Sequence, residues 1–102
     1  HTITFTPMPK FPAVKRDLAL LLDKKISFKE VRDIAFRTEK SLLKSVTLFD
    51  VYEGEKLGAG KKSYAISFTL QDDEKTLTDK QIDKIMNKLM GTYKHQLGAE
   101  IR

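Results

Sequence analysis

Residues 62–71 read Lys-Ser-Tyr-Ala-Ile-Ser-Phe-Thr-Leu-Gln and are the clearest guide to how the chain folds. Bulky side chains occupy every second position, at Tyr64, Ile66, Phe68 and Leu70, and small side chains lie between them. Successive side chains of a β-strand point to opposite faces of a sheet. The alternation therefore predicts a strand with its bulky side buried and its small side facing outward.

A second strand is predicted just upstream. Residues 45–53, Ser-Val-Thr-Leu-Phe-Asp-Val-Tyr-Glu, are also rich in β-branched and aromatic side chains. The connector is short and contains Gly54, Gly58 and Gly60, so the two strands are expected to form a hairpin.

The buried side of this second strand is predicted from Asp50, the carboxylate within its apolar stretch. A carboxylate is rarely buried without a partner, so Asp50 is expected to point outward. Strict alternation then places Leu48 and Tyr52 on the outward side with Asp50, and places three residues on the buried side: Thr47, Phe49 and Val51.

The remaining elements follow from apolar runs and helix caps. The run at 17–22 suits a buried strand, and residues 27–30 and 78–81 are capping boxes that begin two helices. Gly98 ends the second helix, and residues 99–102 can form a short last strand. The order strand, helix, strand, strand, helix, strand predicts an α+β ferredoxin-like split βαββαβ fold, with a four-stranded antiparallel sheet and both helices on one face.

Length and composition limit the classes of function. The 102 residues fit one domain, predicted at 15–102, preceded by an arm or linker end at 1–14 that carries all three prolines. The chain has no Cys and two His, which excludes a disulfide framework, a thiolate metal site and a cysteine nucleophile. A net charge of +5 is the sign expected of a domain that meets phosphate.

Two further expectations concern the chain as a whole. No apolar run approaches the roughly 18 residues that a membrane span needs, so we expect a soluble globular domain. The chain begins at His1 without a charged and apolar leader, which indicates a piece of a longer protein.

The outward side of the predicted sheet is unusually small and apolar. Such a surface either admits a planar ligand or is covered by another domain or by the arm. The residues expected there are Ala19, Leu21, Leu48, Asp50, Tyr52, Ser63 and Ala65.

Other motifs are weak. Residues 58–63 are partly similar to a phosphate-binding loop, but the glycine spacing is wrong and a strand is predicted to follow. His95 has no catalytic partner at an informative spacing, and residues 72–74 are best read as a solvated turn. We therefore expect no catalytic residue and no metal site in this chain.

Five motifs, in order, resemble the ferredoxin-fold anticodon-binding domain that forms the C-terminal end of the β subunit of bacterial-type phenylalanyl-tRNA synthetases. They are Lys-Phe-Pro-Ala-Val-Lys-Arg-Asp-Leu-Ala at 10–19, Leu-Phe-Asp-Val-Tyr-Glu-Gly at 48–54, Gly-Lys-Lys-Ser at 60–63, Thr-Leu-Thr-Asp at 76–79 and Leu-Gly-Ala-Glu-Ile-Arg at 97–102. The resemblance covers residues 8–102.

The resemblance implies an RNA-binding module for the anticodon stem-loop of the phenylalanine tRNA. In the family the open sheet face meets the anticodon, and the matching positions are Ala19, Asp50, Tyr52 and Ser63. To these we add three basic residues at strand ends as expected phosphate contacts: Arg16, Lys61 and Lys62.

The resemblance also implies a cytoplasmic parent enzyme. Aminoacylation, with ATP and magnesium, would lie in other domains of a heterotetramer of α and β subunits, and the isolated domain would have no cofactor. Two alternatives share the order of elements: a regulatory small-ligand or dimerisation module of the ACT type, and an acylphosphatase-like enzyme. The only Asn, Asn87, lies in a predicted helix, which disfavours the second alternative.

Overall fold

Four strands and two helices alternate along the chain in the predicted order. The computed structural model describes residues 11–102, with the elements β1 (Val14–Asp23), α1 (Phe28–Thr38), β2 (Leu43–Tyr52), β3 (Lys61–Leu70), α2 (Asp79–Leu97) and β4 (Glu100–Ile101). A single 3-10 turn, Glu55–Leu57, lies in the β2–β3 connector. Residues 1–10 of the predicted arm lie outside the described part of the chain.

The strands form one antiparallel sheet in the order β2-β3-β1-β4. Strands β1 and β3 pair over their whole length, from Val14 opposite Leu70 to Asp23 opposite Lys61. Strand β4 adds a short edge beside β1, and β2 forms the other edge. The ferredoxin-like fold is confirmed.

A single apolar core lies between the sheet and the helices. Strand β1 contributes every second residue to it, and β3 contributes its bulky set, as the alternation predicts. The helices supply the opposite wall from one face each. The largest fully buried side chains are Tyr93, Phe68, Leu20, Leu22, Ile66, Leu70, Leu89 and Val31.

Tyr93 ties the two helices together inside this core. Its hydroxyl donates a hydrogen bond of 2.9 Å to the Val31 carbonyl of α1, and its ring lies 6.5 Å from that of Phe68. Burial raises the pKa of the Tyr93 hydroxyl well above its usual range, so the group stays neutral and remains a donor.

Both helices begin after the predicted N-cap residues, but only the capping box of α2 forms in full. The Ser27 hydroxyl accepts from the Glu30 N–H at 3.2 Å, and the box at Thr78 and Gln81 is complete. Gly98 ends α2 in the left-handed region, with φ of 61°. Within residues 11–102, no helix is both long and apolar enough to cross a membrane.

The side chains of the first half of β2 face the opposite sides of the sheet from those predicted. Leu48 pairs with Ile66 and packs against the core, whereas Thr47 pairs with Ser67 on the outward side, so both of these predictions were wrong. The register then shifts between Leu48 and Asp50, which leaves Phe49 without a partner and 57% exposed.

The physical reason is a β-bulge. One extra residue in a strand reverses which face the following side chains point to. Beyond the bulge, Asp50 pairs with Ala65 and Tyr52 with Ser63 on the outward side, as predicted. Val51 pairs with the buried Tyr64, yet it remains 47% exposed.

Candidate nucleic-acid interface

The sheet surface opposite the helices, called the open face below, is built from the outward residues of all four strands. Directly paired residues on antiparallel strands share a face, so the register gives its rows. Read from β2 towards β4, these rows are Tyr52–Ser63–Leu21–Glu100, Asp50–Ala65–Ala19 and Thr47–Ser67–Asp17. The structure thus brings the four residues Ala19, Asp50, Tyr52 and Ser63 together in two adjacent rows.

Asp50 stands at the edge of a flat floor. Its row continues through Ala65 and Ala19, whose methyl groups leave room for a planar group to approach the sheet. The Asp50 side chain is exposed, and neither ion pair found between described residues involves it. The carboxylate therefore faces solvent with its acceptor capacity available.

Tyr52 supplies an aromatic ring beside this floor. The residue is 51% exposed, and its ring lies close to the backbone of Gly54. A Cβ atom at position 54 would come within 3.1 Å of the Tyr52 hydroxyl oxygen. Ser63 is directly opposite Tyr52 and is half-buried, so its small side chain keeps the surface flat next to the ring.

The three basic residues predicted to contact phosphate occupy different places. Lys61 has the same orientation as Ser63 and lies two residues beyond it along β3, at the end of the open face. Arg16 pairs with the buried Phe68, so its side chain projects towards the helix side. It lies near the first residue of β1, and its guanidinium donates to the Lys15 carbonyl. Arg16 does not join the other site residues.

Lys62 lies on the helix side of β3. Only 7% of it is exposed, its ammonium donates to the Tyr64 hydroxyl at 2.7 Å, and the same ammonium lies 4.4 Å from the Tyr64 ring centroid. The position of Lys62 gives no support to the prediction that it contacts phosphate from the open face.

Two residues of this region were missed by the sequence analysis. Thr47 is part of the open face because the bulge lies after it, and the expected alternation of β2 hid this. Lys24 follows β1 directly, and its backbone N–H donates to the Gly60 carbonyl at 2.7 Å, which brings it beside Lys61. Its only sequence signal is its place just past a predicted strand end.

The part of the chain that the structure describes shows neither a group of metal-ligating side chains nor a phosphate-binding loop. Within 11–102, no three His, Cys, Asp or Glu side chains are grouped so that they could hold a metal ion. The glycine-lysine segment at 58–63 leads into β3, whereas a phosphate-binding loop leads into a helix. The chemistry that this face offers is hydrogen bonding and stacking.

Comparison with known proteins gives a family and close relatives. The model of the ferredoxin-fold anticodon binding domain matches residues 9–102. Curated relatives include the phenylalanine–tRNA ligase beta subunits of Bacteroides fragilis, 62% identical over 100 residues, Bacteroides thetaiotaomicron, 60% over 100, and Clostridium acetobutylicum, 44% over 98. These alignments cover 98%, 98% and 96% of this chain, which spans only 12% of each relative's length.

Proposed function

The chain belongs to the family of ferredoxin-fold anticodon binding domains, and from this membership we propose that its open face binds the anticodon of the phenylalanine tRNA. One observation carries the proposal. Asp50, an exposed carboxylate, stands at the edge of the flat floor formed by Ala65 and Ala19, one row from the exposed ring of Tyr52. This combination suits an unpaired base that is both stacked and hydrogen-bonded.

Asp50 is the residue that reads the base. An ionised carboxylate only accepts hydrogen bonds, and guanine offers two donors, N1–H and the N2 amino group, on its Watson–Crick edge. A wobble guanine, as in a GAA anticodon, can therefore donate both to Asp50. Adenine has an acceptor at N1 and no amino group at position 2, so it loses both bonds.

Tyr52, Ala19 and Ser63 hold the base in place. Stacking of a base on an aromatic ring contributes about 1–3 kcal/mol in single-strand binding proteins. The methyl group of Ala19 lets the base lie close to the sheet, and the Ser63 hydroxyl, opposite Tyr52, can bond a base or a sugar. Positioning by the flat rows is what makes the contact with Asp50 specific.

The parent of this domain is proposed to be the β subunit of a cytoplasmic phenylalanine–tRNA ligase. The relatives carry that subunit's name, and the chain matches 12% of their length. Joining phenylalanine to tRNA, with ATP and magnesium, is then carried out by the rest of the parent together with its α subunit. This domain contributes recognition of the tRNA.

The proposal is tested by measuring base discrimination. Binding of the chain to a phenylalanine anticodon stem-loop is compared with binding to the same stem-loop carrying adenine at the wobble position. Asp50→Asn, which keeps the size of the side chain, is expected to lose about 1–3 kcal/mol of the preference for guanine. Asp83→Asn is the matched control, because Asp83 is an exposed carboxylate on α2.

Only the Asp50 variant should change the ratio of the two affinities. If Asp50→Asn keeps the guanine preference of the unmodified chain, Asp50 does not read the base. Absence of binding to both stem-loops would overturn the proposed function as a whole.

A further inference from the structure

A pocket of about 320 Å³ lies at the end of the open face, between the turn after β1 and the tip of the β2–β3 hairpin. Its lining includes two basic side chains, one carboxylate and three glycines: Lys24, Lys61, Glu53, Gly54, Gly58 and Gly60. None of the base-reading roles proposed above uses this pocket.

The two walls of the pocket are joined by a backbone hydrogen bond. The Lys24 N–H donates to the Gly60 carbonyl at 2.7 Å, so the turn after β1 is fixed against the hairpin tip. Gly58 and Gly60 have φ values of +99° and +74°, which favour glycine, and a Cβ at Gly60 would meet nothing within 4 Å. The tip is therefore bare backbone that a bulky group can approach.

The charge of the pocket favours an anion. Lys24 and Lys61 face one carboxylate, Glu53, which leaves one net positive charge among the lining side chains. Both ion pairs found in the described part of the chain lie elsewhere, Lys29 with Asp33 and Lys44 with Asp73. The two ammonium groups of the pocket are thus not neutralised by an ion pair with a described residue.

The pocket adjoins the proposed base platform. Gly54 lines the pocket, and a Cβ there would lie 3.1 Å from the Tyr52 hydroxyl oxygen, so the tyrosine ring lies next to a residue of the pocket lining. Lys61 precedes Ser63 by two residues on the same side of β3, about 7 Å away along the strand at the usual rise per residue. A nucleotide whose base stacks on Tyr52 would carry its backbone towards these lysines.

We propose that this pocket binds a backbone phosphate of the RNA, next to the nucleotide stacked on Tyr52, through the ammonium groups of Lys24 and Lys61. The inference rests on the proposed function, because it assigns the path of the RNA away from the base platform. A contact of this kind positions the strand and carries no sequence information. It adds affinity equally for every base at the wobble position.

The test compares Lys24→Gln and Lys61→Gln with Lys25→Gln in binding to the two stem-loops over a range of salt. Lys25 is the matched control, since it is the exposed neighbour of Lys24 and does not line the pocket. Each pocket variant is expected to weaken binding of both stem-loops by the same factor, about fivefold at 0.1 M salt, and to reduce the salt slope by about 0.7. Lys25→Gln is expected to leave both quantities near those of the unmodified chain.

Three results would overturn the inference, and they are distinguishable. If both pocket variants bind like the unmodified chain while Asp50→Asn still loses discrimination, the pocket fails and the proposed function stands. Equal losses in all three lysine variants would indicate general charge attraction and no pocket. If the unmodified chain binds neither stem-loop, the proposed function fails and the pocket fails with it. Thermal melts of each variant show that the fold is intact.

Discussion

The ring of Tyr52 lies close to Gly54, two residues further along the chain. Gly54 does not adopt a positive φ, so its backbone conformation is open to any residue. A side chain there would be tight against the tyrosine itself, whose hydroxyl oxygen and ring carbons would lie 3.1–3.4 Å from a Cβ and would have to shift. The glycine therefore acts on the orientation of the stacking ring, and through it on the proposed base platform.

Gly54→Ala tests this role of the glycine. The added methyl group is expected to displace the Tyr52 ring and to weaken stem-loop binding by about 0.5 kcal/mol or more, a typical coupling between touching residues. The effect should shrink in a Tyr52→Phe background, because the closest atom, the hydroxyl oxygen, is then absent. A double-mutant cycle of stem-loop affinities measures it. Equal losses in both backgrounds would contradict the contact.

At the scale of elements, the regular strands could be predicted from the sequence, and the irregular one could not. The strict alternation of β3 correctly places Ser63 on the open face, and pairing with β3 places Ala19 there. In β2, Val46, Leu48 and Val51 all point to the helix side, whereas strict alternation would point Val51 the other way, and this is the signature of an intervening bulge. One unbroken alternation along β2 does not predict that change.

The orientation of Lys62 could be predicted from the sequence, but its hydrogen-bond partner could not. The alternation of β3 already gives it the orientation of Tyr64, which is buried. Its neighbours Lys61 and Gly60 made it look like part of an exposed loop tip. The long lysine stem can be buried while its ammonium finds the Tyr64 hydroxyl, and a sequence pattern does not reveal such a partner.

The bulge makes a prediction about stability in β2. Leu48 packs against the core and is half-buried, so Leu48→Ala is expected to lower the free energy of unfolding by about 1–2 kcal/mol, less than a fully buried leucine. Phe49 is the unpaired residue and is 57% exposed, so Phe49→Ala should change the free energy of unfolding by no more than about 0.5 kcal/mol. Urea denaturation of both variants measures the difference. The reverse order of the two losses would place the bulge elsewhere.

At the scale of the whole molecule, the proposed base contacts and the lysines that would attract RNA by charge lie on different parts of the surface. The two rows that hold the proposed base contacts include the carboxylates Asp50 and Glu100 and contain no lysine. The net charge of +5 therefore comes from residues outside these rows, among them the lysines at the end of the open face. Under the proposed function, this arrangement attracts RNA generally and discriminates only where Asp50 and Tyr52 meet the base.

This separation also bears on affinity. The chain spans 12% of its relatives' length, and a parent enzyme that holds tRNA at several sites would add to a modest contact here through multivalency. The isolated domain is therefore expected to bind the stem-loop weakly, while retaining its preference for the base. The proposed function should therefore be judged by the preference for guanine over adenine and not by the affinity for the stem-loop.

The most direct test is a titration of the chain with the guanine-containing stem-loop, followed by backbone amide chemical shifts. We expect shifts clustered at Ala19, Asp50, Tyr52 and Ser63, with smaller changes at the same amides when adenine replaces the wobble guanine. Shifts confined to exposed lysines of the two helices, equal for both stem-loops and lost with salt, would contradict the claim that the open face reads the anticodon.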